Sequence, residues 1–282
     1  MIASYRFHLA YRGEKFAGFQ AQAHVRTVSQ EFQKALFLIT GENPVLQAAG
    51  RTDAGVHAHG QVISAKLETK LSLRQLTLAL ATKTPSDLSI WRIDKMPLGF
   101  DARRHSVGKQ YIYRIAQGLV PDVHMRDRSW HVRAQLDHDA MRRACAYLIG
   151  EHDFESFRGS LCSAAHAVRY IWHMGLSQKD KILELDIRGN AFCLNMVRII
   201  VGTLVDVGRG KLKPEDIKII LDAKDRRKAG MTARPEGLSF AQVYYPDDLS
   251  NALIPKDALF PRFPVSELSW PFDSKNIEYG PI

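Results

Sequence analysis

A single carboxylate in a glycine-bounded loop is the first place where this sequence could do chemistry. The run Gly50-Arg51-Thr52-Asp53-Ala54-Gly55-Val56-His57 sets Asp53 two residues after a guanidinium and between two short apolar runs, 45–49 and 62–67. A carboxylate buried there needs a cation or donors, since an unpaired buried charge costs on the order of several kcal/mol. Held ionised, it could act as a nucleophile. The same residues also spell an ordinary Asp-Ala-Gly turn in which Asp53 bonds its own backbone. A second candidate is Arg198, within the apolar run Leu194-Asn195-Met196-Val197-Arg198-Ile199-Ile200-Val201. A guanidinium on so apolar a helix must reach an acid or a phosphate, and a structural ion pair is the plainer reading. A third is Tyr111, entered through the basic stretch 103–109, although a tyrosine taken alone is more simply a core residue.

Other features carry less. Gly208-Arg209-Gly210-Lys211 follows an apolar helix instead of preceding one, so it reads as a C-terminal cap turn and not a phosphate cradle. His57 and His59 lack a third ligand at metal spacing, and no metal is expected. No nucleophile elbow, Walker sequence or His-Glu-x-x-His helix occurs.

The elements that must position these residues follow from periodicity. Ala3, Tyr5, Phe7, Leu9 and Tyr11 alternate with Ser4, Arg6 and His8, which predicts a half-buried strand. Thr27 and Gln30 form a potential capping box for a helix that buries Val28, Phe32, Ala35, Leu36 and Ile39 and stops at Gly41. Strands are expected at 45–49, 62–67 and 88–93, with a helix from Ser72. Beyond the basic stretch, a strand carries Tyr111, Tyr113 and Ile115 on one face. A helix over 139–149 follows, then a hairpin over 168–187 turning at 178–180, an apolar helix over 194–207, a helix after Pro214 and a strand over 238–245. Helices among adjacent alternating strands predict an α+β chain with mostly antiparallel or mixed sheets. Domains are expected at 1–104 and 105–247. A tail at 248–282, rich in Pro and aromatic residues, is expected to lie along the body.

Composition narrows the partners. The chain has 282 residues, 45% hydrophobic and 24% charged, which is globular. Its 39 Lys and Arg against 30 Asp and Glu leave a net charge of +9, suited to a polyanion or simply to a solvated surface. Three cysteines at unrelated spacings, Cys145, Cys162 and Cys193, predict reduced thiols in a cytosol-like compartment. The start of the chain has no signal-peptide pattern, and the longest apolar stretch, about 196–207, is too short to span a bilayer, so a soluble cytoplasmic protein is expected.

Taken in order, these residues resemble the tRNA pseudouridine synthase A family over roughly Tyr5 to Tyr245. The resemblance rests on Gly-Arg-Thr-Asp-Ala-Gly-Val-His with Gly60-Gln61-Val62, on Gly18-Phe19-Gln20 and on Tyr111-Ile112-Tyr113. It is extended by Gly150-Glu151-His152-Asp153-Phe154 with Ser156-Phe157, Asn195-Met196-Val197-Arg198 with Gly202, Thr232-Ala233 and Gly237-Leu238. It implies two α/β domains facing each other across a basic cleft. It also implies conversion of uridine to pseudouridine in the anticodon stem-loop of tRNA, at positions 38–40, by a homodimer without cofactor. Asp53 is then the catalytic aspartate, Arg198 the cation that holds it, and Tyr111 the ring that stacks on the flipped base and takes the C5 proton. Arg51, Arg103, His57 and Leu238 join Tyr111 in contacting substrate. The sequence departs from the pattern at Phe19, where Trp is usual, at 80–85, which lacks the expected asparagines, at Arg234 and throughout the tail. A non-catalytic RNA-binding module is disfavoured by the intact Asp53, Tyr111 and Arg198. An aspartate hydrolase is disfavoured by the basic surplus and the missing second carboxylate.

Overall fold

The computed structural model describes residues 2–246 and 277–281; the expected course of the tail falls almost entirely outside them. The described residues form two compact units, 2–107 with 240–246 and 277–281, and 108–239. In chain order the elements are β1 (Ile2–Tyr11), α1 (Val28–Thr40), β2 (Gln47–Ala48), β3 (His57–Glu68), α2 (Leu73–Lys83), β4 (Leu88–Met96), β5 (Gly108–Gln117) and β6 (Trp130–Val132). There follow α3 (His138–Ala146), β7 (Gly150–Asp153), β8 (Val168–Lys179), β9 (Ile182–Gly189), α4 (Met196–Gly208), α5 (Asp216–Ala223) and β10 (Leu238–Tyr244). Nearly all pairings are antiparallel, as expected of an α+β chain; β5 with β6 is parallel. Among the described residues no helix is long and apolar enough to cross a membrane.

In the first unit the strands run in the order β4-β1-β3-β10, with β2 on β3. The alternation in β1 turns Phe7 and Leu9 inward, and Phe7 meets Phe32 of α1 edge to face at 5.1 Å. Thr27 caps α1 by accepting the Gln30 N–H, and Gly41 ends it in a left-handed conformation. The reciprocal half of that box is made through side chains, the Gln30 Oε1 accepting from the Thr27 hydroxyl at 2.5 Å while its amide nitrogen donates to the Gln22 carbonyl at 2.9 Å. Ser72 and Gln75 make the complete box on α2.

The second face of β1 departs from the half-buried expectation. Arg6 is fully buried, its Nε donating to Asp94 at 2.9 Å, and Asp94 is bonded as well by His8 at 2.9 Å, by Arg92 at 2.7 Å and by the Gly280 N–H at 3.1 Å. Burial alone would raise the Asp94 carboxyl, but these partners hold it well below the usual carboxylate range. Residues 278–280 reach this cluster through paired backbone bonds between Glu278 and Lys95.

The second unit has the order β5-β9-β8-β7, with β6 on β5. The β8–β9 hairpin closes at Asp180 and Lys181, with Lys179 opposite Ile182 and Asp180 at φ 54°. Asp180 sits where short polar residues tolerate the left-handed region. Helix α3 stops at Ala146, three residues short of the expected end, as the chain tightens into Tyr147→Ala144 and Leu148→Cys145 backbone bonds. Helix α4 is buried nearly all round, as its apolar run requires.

Candidate active site

Asp53 owes its place to a loop that is clamped from three directions. Gln61 on β3 donates from Nε2 to the Gly50 carbonyl at 2.8 Å, fixing where the loop leaves the sheet. Tyr11, the last residue of β1, shares a 2.8 Å hydrogen bond with the Thr52 hydroxyl. Burial pushes the Tyr11 phenol up to about 12 against the opposing bonds of Thr52 and Gln61, so it stays protonated at neutral pH. Phe19 donates its N–H to the Thr52 carbonyl at 3.0 Å, and Gly55 donates to the Phe16 carbonyl at 3.3 Å. Val56 N–H reaches back to the Asp53 carbonyl at 3.2 Å, closing the turn that the Ala-Gly pair predicts.

Two glycines make the clamp possible. Gly18 sits at φ +103°, and a Cβ there would lie 3.0 Å from the Thr52 carbonyl oxygen. A Cβ on Gly13 would overlap the Val56 carbonyl oxygen and come within 2.8 Å of the Gly55 carbonyl carbon. Gly13 also donates its N–H to His57 Nδ1 at 3.1 Å, so buried His57 braces the end of the loop. The Asp53 side chain is left half-buried, and Arg51 beside it is exposed. A half-buried carboxylate on an immobilised backbone suits a nucleophile that must meet a substrate at one angle. Arg103 belongs to the same unit. It is exposed on a turn capped by Asp101, which accepts the Arg103 and Arg104 N–H groups at 2.8 and 2.9 Å.

Tyr111 and Arg198 each contact the segment that leads into α4, in the second unit. Tyr111, opposite Ile187 in the β5–β9 ladder, is 8% exposed, and its ring meets Phe192 edge to face at 5.1 Å. Three residues after Phe192, Asn195 enters α4 at φ 59° and accepts from Arg198 Nη1 at 3.1 Å. Arg198 Nε donates to the Ala233 carbonyl at 2.8 Å, while its own carbonyl accepts the Ala233 N–H at 3.0 Å. The guanidinium is thereby aimed by two planar acceptors, which a lysine could not reproduce. Tyr113, fully buried, donates to the Arg234 carbonyl at 2.7 Å and pins the same 232–237 segment to β5. Leu238 is buried at the start of β10.

The sequence pattern picked out Asp53, Tyr111 and Arg198 but not the groups that orient them. Tyr11, Gly13 and Phe192 carry no chemical signal of their own, and Gln61, Asn195 and Ala233 stood out only as parts of motifs. The available clue was position: Tyr11 closes the buried run of β1 two residues before Gly13, and Asn195 precedes the first turn of an apolar helix.

Residues 9–103 and 144–246 match the family described as tRNA pseudouridine synthase. The tRNA pseudouridine synthase A of Geobacter sp. (strain M21) is 40% identical over 240 residues, 85% of this chain and 97% of that one. The protein of the same name from Moorella thermoacetica is 44% identical over 239 residues, covering 84% and 97%, and that from Vibrio parahaemolyticus is 36% identical over 252 residues, covering 89% and 96%. The clamped aspartate loop and the Asn195–Arg198 helix both lie inside the matched residues, and the chain belongs to the tRNA pseudouridine synthase family, isomerases that turn uridine into pseudouridine.

Proposed function

We propose that this protein isomerises uridines on the 3′ side of the tRNA anticodon stem-loop, at positions 38–40, as a cytoplasmic homodimer, with Asp53 as its catalytic carboxylate. The observation that carries this reading is the immobilised Asp53 loop, in which Tyr11, Gly13, Gly18 and Gln61 hold the backbone and leave the carboxylate half-buried. Pseudouridine formation breaks the N1–C1′ bond, turns the ring and joins C5 to C1′. It is redox-neutral, so the carboxylate needs position and charge and no added group. Arg198, fixed by Asn195 and Ala233, supplies a rigidly held cation for the reaction. Tyr111 stacks on the flipped base and accepts its C5 proton. Unstacking the base costs about a few kcal/mol, and stacking on an aromatic ring offsets it.

Arg51 and Arg103, both exposed, grip the RNA backbone, while buried His57 and Leu238 support substrate contact each from within its own unit. The net charge of +9 favours association with the polyanion and makes it salt-dependent. The test is to incubate the protein with unmodified tRNA transcripts tritiated at uridine C5 and to map the products. Tritium release with pseudouridine at 38–40 supports the assignment. Release with products elsewhere in the tRNA refutes the positions, and sedimentation as a monomer refutes the dimer.

A further inference from the structure

Two of the three cysteines, unrelated by spacing, meet in the second unit. The loop after Phe157 is stitched to the entry of α4. Gly159 donates its N–H to the Leu194 carbonyl at 2.9 Å, and Leu194 returns its N–H to Cys162 Sγ at 3.4 Å. That bond holds the Cys162 sulfur against the residue that follows Cys193, and the two thiols interact. Arg158 wraps this loop, its Nη2 donating to the Cys162 carbonyl at 2.9 Å and the Ala164 carbonyl at 2.7 Å, with the guanidinium also beside the Cys162 sulfur.

The two thiols are differently placed. Cys162 is partly open to solvent, whereas Cys193 is 6% exposed. Burial alone would raise the Cys162 thiol, but the Leu194 and Ala164 N–H groups and Arg158 outweigh it and bring it below its ordinary value. Burial pushes Cys193 up to about 11 and Cys145 up to about 12.

We propose that Cys162 and Cys193 form a peroxide-sensitive dithiol, with Cys162 the site of oxidation and Cys193 the thiol that resolves it. The Cys162 thiolate attacks one oxygen of hydrogen peroxide and the O–O bond breaks. The departing hydroxide takes a proton and leaves as water, giving a sulfenic acid on Cys162. The Cys193 sulfur then attacks the Cys162 sulfur. The S–S bond forms as the S–O bond breaks, and the hydroxyl leaves as a second water carrying the Cys193 proton. Two thiols are oxidised to a disulfide by the two-electron reduction of one peroxide. A disulfide requires the sulfurs to close to about 2 Å, and the bond from Leu194 N–H to Cys162 Sγ already holds the two cysteines one residue apart across the loop.

The full-length protein is treated with hydrogen peroxide, blocked with N-ethylmaleimide, digested with trypsin without reduction and analysed by mass spectrometry. The expected product is peptide 159–169 linked to peptide 189–198, lighter by two hydrogens than their sum and released by dithiothreitol. Peptide 144–158, with Cys145, stays unlinked and becomes alkylated only on unfolding. In Cys193→Ser the Cys162 sulfenic acid persists and is trapped by dimedone, and in Cys162→Ser neither dimedone adduct nor link forms. The proposal is overturned if both thiols remain alkylatable after peroxide, or if Cys145 is oxidised as readily as Cys162.

Discussion

Replacing Tyr11 by Phe isolates the clamp on the aspartate loop, because the ring keeps its packing and only the hydroxyl is lost. That hydroxyl shares a 2.8 Å bond with Thr52 and receives the Gln61 amide at 3.4 Å. Gln61 keeps its shorter bond to the Gly50 carbonyl, so the principal loss is at Thr52, whose buried oxygen is stranded next to Asp53. Stranding one buried polar group costs about 1–2 kcal/mol, which for a chain of this size lowers Tm by about 2–6 °C. Tyr11 is 4% exposed and cannot touch RNA, so KM for tRNA should hold while kcat falls. The expected fall is on the order of tenfold, less than the ~100-fold that a full 1 Å misplacement can cost. Adding Thr52→Val removes the stranded partner, and the double variant should be no less stable than Tyr11→Phe alone. Thermal melts and tritium-release kinetics on the two single variants and the double provide the cycle. Additive stability losses, or a Tyr11→Phe enzyme with unaltered kcat, would refute the idea that this bond positions the loop.

Other perturbations test neighbouring parts of the account. Gly13→Ala forces a Cβ against the Val56 carbonyl, and it should destabilise by about 1–3 kcal/mol in urea melts while lowering kcat; a neutral variant would mean the loop gives way freely. Asp94→Asn leaves buried Arg6 without its carboxylate and should cost about 3–5 kcal/mol at neutral pH. Because the folded Asp94 carboxyl lies below its ordinary value of 3.8, its contribution is complete above that pH and is lost as pH falls through the folded value. The stability gap between the native protein and Asp94→Asn should therefore narrow in strong acid, and a gap of constant size down to about pH 2 would contradict the assigned shift. Arg198→Lys keeps the charge but loses the fork to Ala233 and Asn195, so it should fold normally and lose activity by about 10–100-fold; activity equal to that of the parent would show that charge alone suffices.

Local structure was legible wherever chemistry and structure lie within a few residues of each other. Thr27 and Gly41 bound α1, the alternation from 168 onward makes the β8–β9 hairpin, and the largely apolar run makes α4. Pattern failed where a partner is distant. Arg6 looked like the solvent face of β1 because nothing near it foretells Asp94, and Tyr11 looked like a core ring because Thr52 is a loop residue. The cysteines looked unrelated because the bonds that tie Gly159 and Cys162 to Leu194 exist only in the fold. The candidate site divides in the same way. Its reactive groups carry unusual residue types in unusual surroundings, whereas the groups that orient them are backbone carbonyls, glycines and a buried phenol.

The most direct test of the central claim is Asp53→Asn, which preserves shape and removes the charge on an otherwise unchanged loop. With tRNA tritiated at uridine C5, the native protein should release tritium on every turnover. The variant should release none above background while binding the same tRNA with comparable affinity. Release by Asp53→Asn at the native rate would contradict the assignment of Asp53 as the catalytic carboxylate.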